Sequence, residues 1–444
     1  MRHNIQGLKV AMLVACLSTG LAISLQAQNP IPERERPKLK DFGSSLKHLK
    51  WDPSSNAAVE TKPTRKKTES DDDVVRVETT LVVSNILVLD KQLRVVPGLT
   101  REDFIITEDG RPQEVGAFSL GDDGRIPRSI VLIIDYSGSQ LPFIQTSVQA
   151  AKTLVDKLNP RDTMAIVTDD VELLVDFTRD KELLKKKLDS LEKKATSASN
   201  TQKGKFGRSA QYSALMATLH EAFNDEDQRP VIIFQTDGDE MSFLRNTTVG
   251  PGMPPNLPPD LQEQSLKNAK FFQKLYQKNM REFSLSDIYK TAENSRATIY
   301  AIIPGTRLIG LKPEQQLARF NANRERTAQV WGIKPDIKKR VDEEFSRYPP
   351  EAVKYLVDRS VDIQLALAGV AHVTGGWSDF LEDPAQADSV YEHIFSDISR
   401  RYVIGYYPSN KERDGKRRKI SIEVRGHPEY VVWGRKSYYA PQPE

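Results

Sequence analysis

Cysteine is nearly absent from this chain of 444 residues. The single one, Cys16, lies near the N-terminus. No disulfide can staple the remainder, so its stability has to come from a packed core. Histidine is sparse and scattered, at His3, His48, His220, His372, His393 and His427. There is no H-E-x-x-H and no G-x-x-x-x-G-K-[ST], which excludes the usual zinc-hydrolase and P-loop chemistries. His372, close to Thr374, reads as a structural histidine at a helix end. Surplus charge is lacking too: 64 basic and 61 acidic residues leave a formal +3. No global field exists to draw in nucleic acid or an anionic membrane. Beyond the first 25 residues no apolar run approaches the roughly 18 residues of a membrane span.

The N-terminus reads as a secretory signal, residues 1–27. Met1–Lys9 is short and basic, Val10–Leu25 is apolar, and Leu25-Gln-Ala27 offers a cleavage site. Its removal takes away Arg2, Lys9 and Cys16. A lipobox-like Leu13-Val-Ala-Cys16 is the alternative, with a lipid anchor at the cysteine. The expectation is an exported protein, periplasmic or secreted. Residues 28–73 are polar and end in Lys62-Pro-Thr-Arg-Lys-Lys67 and Glu69-Ser-Asp-Asp-Asp73. They read as a disordered linker.

What the chain does have is Ser129-Ile-Val-Leu-Ile-Ile-Asp135-Tyr-Ser137-Gly-Ser139. The apolar run reads as a strand buried on both faces, as in a parallel sheet. Asp135, Ser137 and Ser139 then fall at its C-terminal end, where open α/β sheets bind ligands. Hard oxygen donors without Cys or His suit a hard cation such as Mg²⁺ or Mn²⁺. A second apolar run ends in Asp237: Val231-Ile-Ile-Phe-Gln-Thr-Asp237-Gly-Asp239. Between the two, Gly207-Arg-Ser209-Ala-Gln-Tyr-Ser-Ala-Leu215 reads as a glycine-containing loop opening a helix.

The central region, about 126–400, alternates strand and helix, which predicts a doubly wound, mainly parallel sheet. Strands are predicted at Thr163–Thr168, Glu172–Phe177 and Ala297–Ile303, with a last one near Trp377–Leu381. Helices are predicted from Ser139 to Asn159-Pro160 and over Lys181–Lys194, Gln211–Phe223 and Val361–Ala371. Residues 74–125 and 401–440 read as short strands, the first with an Asp109-Gly110 hairpin turn. Neither has enough strands to bury a core alone. Together they predict one small β-sandwich into which the α/β region is inserted. Stretches at 241–282 and 305–360 read as insertions leaving strand ends on the Asp135 face.

The three loops together resemble the metal-ion-dependent adhesion site of von Willebrand factor A domains. That resemblance implies a vWA/Rossmann-like α/β fold. It also implies metal ligation by Asp135, Ser137 and Ser139 in the first loop, Ser209 in the second and Asp237 in the third. Ser209 departs from the family, which usually has Thr; the hydroxyl is kept and the methyl is lost. The implied function is non-enzymatic: a protein partner presents a carboxylate to the open position of the metal. Val96-Pro-Gly-Leu-Thr-Arg-Glu-Asp-Phe104, Thr374-Gly-Gly376 and Tyr402…Gly405-Tyr-Tyr-Pro408 further resemble the secreted vWA-related proteins of Acidobacteria.

Two other readings are weighed. A haloacid-dehalogenase-type phosphatase would use Asp135 as nucleophile, but its general acid would fall on Ser137, which cannot protonate a leaving group as a carboxylic acid does. A structural secreted module without metal is the other.

Overall fold

A computed structural model describes residues 49–52, 57–60, 81–120, 127–201, 209–223, 229–247, 254–263 and 280–442. The signal and lipobox segment, the two charged runs at 62–73, and Gly207-Arg208 lie outside the described residues. Within the stretch expected to be a linker, β1 (Leu49–Asp52) pairs antiparallel with β2 (Ala57–Glu60).

The first larger unit is a sandwich of two four-stranded sheets. Its strands are β3 (Val82–Leu89), β4 (Phe104–Glu108), β5 (Arg111–Gln113), β6 (Val115–Ser119), β13 (Tyr402–Tyr406), β14 (Arg417–Val424), β15 (Val431–Trp433) and β16 (Ser437–Tyr439). One sheet runs β15-β3-β13-β6, the other β16-β14-β4-β5. N- and C-terminal strands therefore alternate as neighbours: β13 lies between β3 and β6, and β14 pairs with β4. The alternation of β3 and β14 turns Val82, Ile86, Ile420, Ile422 and Val424 into one shared core with Phe104 and Tyr402. Asp109 and Gly110 both take positive φ, 48° and 80°, as the two-residue β4–β5 turn requires. Strand β16 is too short to have been read from its sequence pattern.

The second unit is a six-stranded sheet in the order β12-β11-β10-β7-β8-β9. It contains β7 (Ser129–Ile134), β8 (Thr163–Thr168), β9 (Glu172–Thr178), β10 (Pro230–Gln235), β11 (Thr298–Pro304) and β12 (Ser378–Leu381). All neighbours are parallel except β8 and β9. Helices cover both faces, which is why β7 is apolar at both inward and outward positions from Ile130 to Ile134. Val131 and Ile133 pack toward α3 (Gln211–Glu221), α4 (Leu285–Asn294) and α7 (Pro350–Val373). Ile130, Leu132 and Ile134 pack toward α1 (Ile144–Asp156), α2 (Lys181–Thr201) and α8 (Ala387–Arg400). The stretch at 305–360 supplies α5 (Pro313–Val330), α6 (Pro335–Ser346) and the first turns of α7. The end of the predicted insertion and the short helix predicted at Val361–Ala371 are thus one long helix, whose second half packs on the sheet.

The two units meet at the Thr374-Gly-Gly376 turn. A Cβ on Gly376 would stand 1.8 Å from the Ile299 carbonyl oxygen, and Gly375 has φ 80° against Gly434. Only glycine lets these backbones approach so closely. Arg401, 3% exposed, donates to Asp397 Oδ2 (2.7 Å), the Gly375 carbonyl (2.7 Å) and the Asn85 carbonyl (3.2 Å). Tyr300 Oη donates to the same Asp397 oxygen at 2.6 Å.

Candidate metal centre

Asp135 is the first residue past β7 and is 1% exposed. Its backbone N–H still donates to Gln235 O (3.0 Å), so the sheet ladder fixes its Cα. Tyr136 alternates to the opposite face and buries its ring in the core beneath α1 and α2, where Lys194 Nζ lies 4.6 Å from the ring centroid. That alternation leaves Ser137 and Ser139 on the side of Asp135. The chain then tightens into a 3₁₀ turn, Gly138–Phe143, before α1.

Asp135 Oδ1 accepts from Ser137 N (2.9 Å); Oδ2 accepts from Gln211 Nε2 (2.7 Å) and Thr236 Oγ1 (2.8 Å). The Ser137 and Ser139 hydroxyls lie 3.0 Å apart. Ser139 also hydrogen-bonds Asp237. Asp237 Oδ2 accepts from Gln140 Nε2 (2.7 Å) and Oδ1 from Asp239 N (3.1 Å). Gly238 carries this turn at φ 77°, with a would-be Cβ 2.8 Å from Leu367 Cδ1. Asp135, Ser137, Ser139 and Asp237 are therefore one connected set.

Ser209 joins them indirectly. Its backbone N–H donates to Asp169 Oδ2 (2.9 Å), while Tyr136 N donates to Asp169 Oδ1 (3.1 Å). Among the described residues the Ser209 hydroxyl makes no hydrogen bond to the other four. Ser209 has φ 52°, a left-handed conformation in which a β-branched residue is a steric outlier. This gives a backbone reason for serine in place of threonine.

Asp169, fully buried at the end of β8, was not anticipated from the sequence, nor were Gln140, Gln211, Thr236 and Asp239. Asp169 carried a readable signal: Thr168-Asp169 ends a parallel strand directly beside β7. The two glutamines and Thr236 act only through the folded contact and had none.

Four carboxylates thus share one strand-end face: Asp135, Asp169 and Asp239 buried, Asp237 half-buried. Burial, then the charge of Asp237, pushes the Asp135 carboxyl up to about 7. Asp169 is pushed well above the carboxylate range by burial and by Asp135. Asp239 is raised by burial and Asp237, against the pull of Arg359. Asp237 is raised chiefly by loss of solvent. Among the described residues, buried Asp239 Oδ1 has no hydrogen-bond partner. Like charges gathered out of water would be eased by a cation. Among the described residues no three Asp, Glu, His or Cys side chains form a metal-holding group. A cation here must draw on hydroxyls, and Ser137 and Ser139 supply two. The donor set, oxygen throughout, fits a hard divalent ion.

Beside this face lies a cavity of about 170 Å³. Ser139, Asp237 and Asp239 form one wall; Arg324, Trp331 and Arg359, from the 305–360 stretch, form another. Among the described residues none from 241–282 lines it. Leu257 and Leu261 of that stretch instead pack on Ala352 and Tyr348. Of the two stretches expected to cover this face, the second lines the cavity; residues 248–253 and 264–279 of the first lie outside the described residues.

Residues 130–240 match the von Willebrand factor type A domain family. This segment is a von Willebrand factor type A domain. The matched span opens in β7 and closes just past Asp237, so the vWA match contains all five candidate ligands. Similar solved structures include the conserved hypothetical protein BatB from Bacteroides thetaiotaomicron, at 15% identity over 50% of this chain and 97% of that one, TM-score 0.25. The vWF domain of the type V pili tip protein Mfa5 from Porphyromonas gingivalis is 13% identical over 62% and 95%, TM-score 0.27. An aerotolerance-related membrane protein from Bacteroides fragilis is 13% identical over 50% and 100%, TM-score 0.25. The comparison with curated proteins finds no match. None of these likenesses bears on the finer Acidobacteria-type resemblance of the vWA segment's surroundings.

Proposed function

We propose that this is an exported, non-enzymatic protein that binds a partner protein through a divalent cation, Mg²⁺ or Mn²⁺, at its vWA domain. The observation that carries this reading is the face of four crowded carboxylates next to two hydroxyls 3.0 Å apart. Asp135, Ser137, Ser139, Ser209 and Asp237 would hold the ion. When bound, it would supply an electrophilic centre for a carboxylate of the partner. Ser137 and Asp135 sit deepest and set the floor; Ser139, Ser209 and Asp237 are half-buried and form the mouth. Thr236, just past β10, and Gln211, the first residue of α3, hold Asp135, and Asp169 ties the Ser209 loop to the backbone of Tyr136. The chain's contribution is a pre-formed donor set whose rotamers are locked by neighbours.

The vWA domain supports an interaction role rather than turnover, and among the described residues no helix is long and apolar enough to cross a membrane. The cavity between Asp237 and the 305–360 helices is where this chain would discriminate among partners, since Arg324 and Arg359 face the same space as the acidic wall. Replacing 305–360 would also remove the start of α7, so point changes such as Arg324→Ala are the cleaner test of partner choice.

The test is calorimetric titration of Mg²⁺ and Mn²⁺ into the wild type and Asp135→Ala, followed by pull-down from envelope extract with and without chelator. Binding by the wild type, its loss in the variant and chelator-sensitive capture are expected. Equal metal affinity in both proteins would remove the proposal.

A further inference from the structure

A second cleft lies at the opposite edge of the α/β sheet. Asp135 follows the C-terminal end of β7, whereas Ser295 and Arg296 precede the N-terminal end of β11, and the intervening strands run parallel. There the end of α4 meets the start of β3, the 408–415 turn and β16 around a cleft of about 650 Å³. Among the described residues its walls carry Lys290, Arg296, Lys411, Arg413 and Arg435, and one acid, Glu412. Glu412 also lies 4.0 Å from Arg418.

Arg435 is the decisive residue. It is 8% exposed, yet among the described residues its Nε has no hydrogen-bond partner. One terminal nitrogen donates to the Ser295 carbonyl. The acid whose charge reaches it, Glu293, is already bound by Arg417 (2.8 Å) and by the Ser437 hydroxyl. Arg296 stands close enough to repel it. A guanidinium taken out of water with an orphan donor is costly unless an acceptor arrives. Its planar fork matches a carboxylate, phosphate or sulfate. Two neighbouring polar side chains are engaged. Tyr438 donates to Glu108 (2.8 Å), and the Asn294 side chain accepts from Tyr439 N (2.9 Å). Lys290 Nζ sits 4.9 Å over the Tyr439 ring, holding a cation at the rim.

We infer that this cleft between the two units is an oxyanion-binding site, with Arg435 at its base and Lys290, Lys411 and Arg413 around its mouth. The ligand is a phosphate, sulfate or carboxylate group, either free or carried on an acidic polymer. The site is independent of the metal centre: it shares no residue with it and faces the other way.

The experiment titrates inorganic phosphate and sulfate, then polyphosphate and polyglutamate, into the full chain by calorimetry at two NaCl concentrations. Probes should bind, more weakly at higher salt. Arg435→Gln should weaken phosphate binding at least about tenfold, the loss of one charge-assisted fork. The exposed double variant Lys411→Ala/Arg413→Ala should weaken it several-fold while leaving the circular-dichroism spectrum unchanged. Asp135→Ala should leave it untouched, which separates this site from the metal reading. Tighter binding of the polymers assigns the group to a chain, tighter binding of phosphate or sulfate to a small anion; either result keeps the site. No heat with any probe, or equal affinity in the wild type and the double variant, overturns it. Should Arg435→Gln fail to fold, the double variant decides alone.

Discussion

Two buried charge clusters in this molecule are built on opposite plans. At the junction of the sandwich and the α/β sheet, Arg401, Asp397 and Tyr300 form a closed set. One cation meets one carboxylate, and two carbonyls and a hydroxyl complete the bonds. At the strand ends around Asp135, four carboxylates gather, and what pulls on them is mostly hydroxyls and backbone N–H groups. Both clusters lie largely out of water, but only the first pairs a full positive charge with its carboxylate at hydrogen-bond distance. The difference teaches how to tell structure from site. A self-compensated cluster is fully explained by the fold, whereas a surplus of one sign, held in place by many donors, points to a ligand of the other sign.

The contrast is broken most sharply at the junction. Arg401→Met should strand the Asp397 charge and cost about 3–5 kcal/mol, read as a fall in the urea midpoint. Asp397→Asn should cost less, because the amide oxygen still accepts from Tyr300. A neutral outcome for Arg401→Met would mean the junction cluster is not a closed pair.

At the strand ends the same kind of change should act in reverse. In Asp237→Asn the amide remains a partner for Gln140, whose Oε1 is otherwise unpaired. One like charge is removed, so the metal-free protein should be stabilised by about 1 kcal/mol while Mg²⁺ affinity falls at least about a hundredfold. Denaturation in chelator and calorimetry check the two halves separately.

Acidity sharpens the comparison further. The folded Asp135 carboxyl sits at about 7, above its unfolded value. Folding therefore takes up a proton between those values, and this group's contribution to stability is largest at low pH and is lost as pH rises through 7. Metal competes with that proton. Mg²⁺ affinity should drop by up to about tenfold per pH unit below 7, and metal-free stability should decline between pH 5 and 8. A metal affinity flat across that range would contradict the shared carboxylate.

The smallest effect concerns Ser209. Ser209→Thr should destabilise by about 1 kcal/mol, because φ 52° is strained for a β-branched residue. Ser209→Gly should relieve the backbone and remove only the hydroxyl. A drop in Mg²⁺ affinity in the glycine variant marks the hydroxyl as a ligand; no drop leaves Ser209 a positioning residue.

Much of this was legible before folding. The runs before Asp135 and Asp237 are too apolar for one-sided burial, so a parallel sheet and the placement of both acids followed. The pairing of residues 81–119 with 402–439 followed from each half's shortage of strands. Other features were hidden because they exist only between loops. Asp169 is an ordinary strand-end acid until Tyr136 and Ser209 donate to it. Gln140 and Gln211 fall in predicted helices with nothing to mark them, yet both are buried against carboxylates. The long α7 was masked by the polar composition of its first turns, which pack on the 254–263 segment rather than on the sheet.

The most direct test of the central claim is the thermal midpoint of the full chain at pH 8 in Mg²⁺ and in chelator, alongside Asp237→Asn. A ligand that binds only the folded form must raise the midpoint with its concentration. The account predicts a rise for the wild type that chelator reverses. For Asp237→Asn it predicts one midpoint in both conditions, at or above that of the metal-free wild type. A wild type indifferent to Mg²⁺ and Mn²⁺ up to about 10 mM, where even a millimolar site would add over 1 kcal/mol, would show that the four carboxylates are not a cation site.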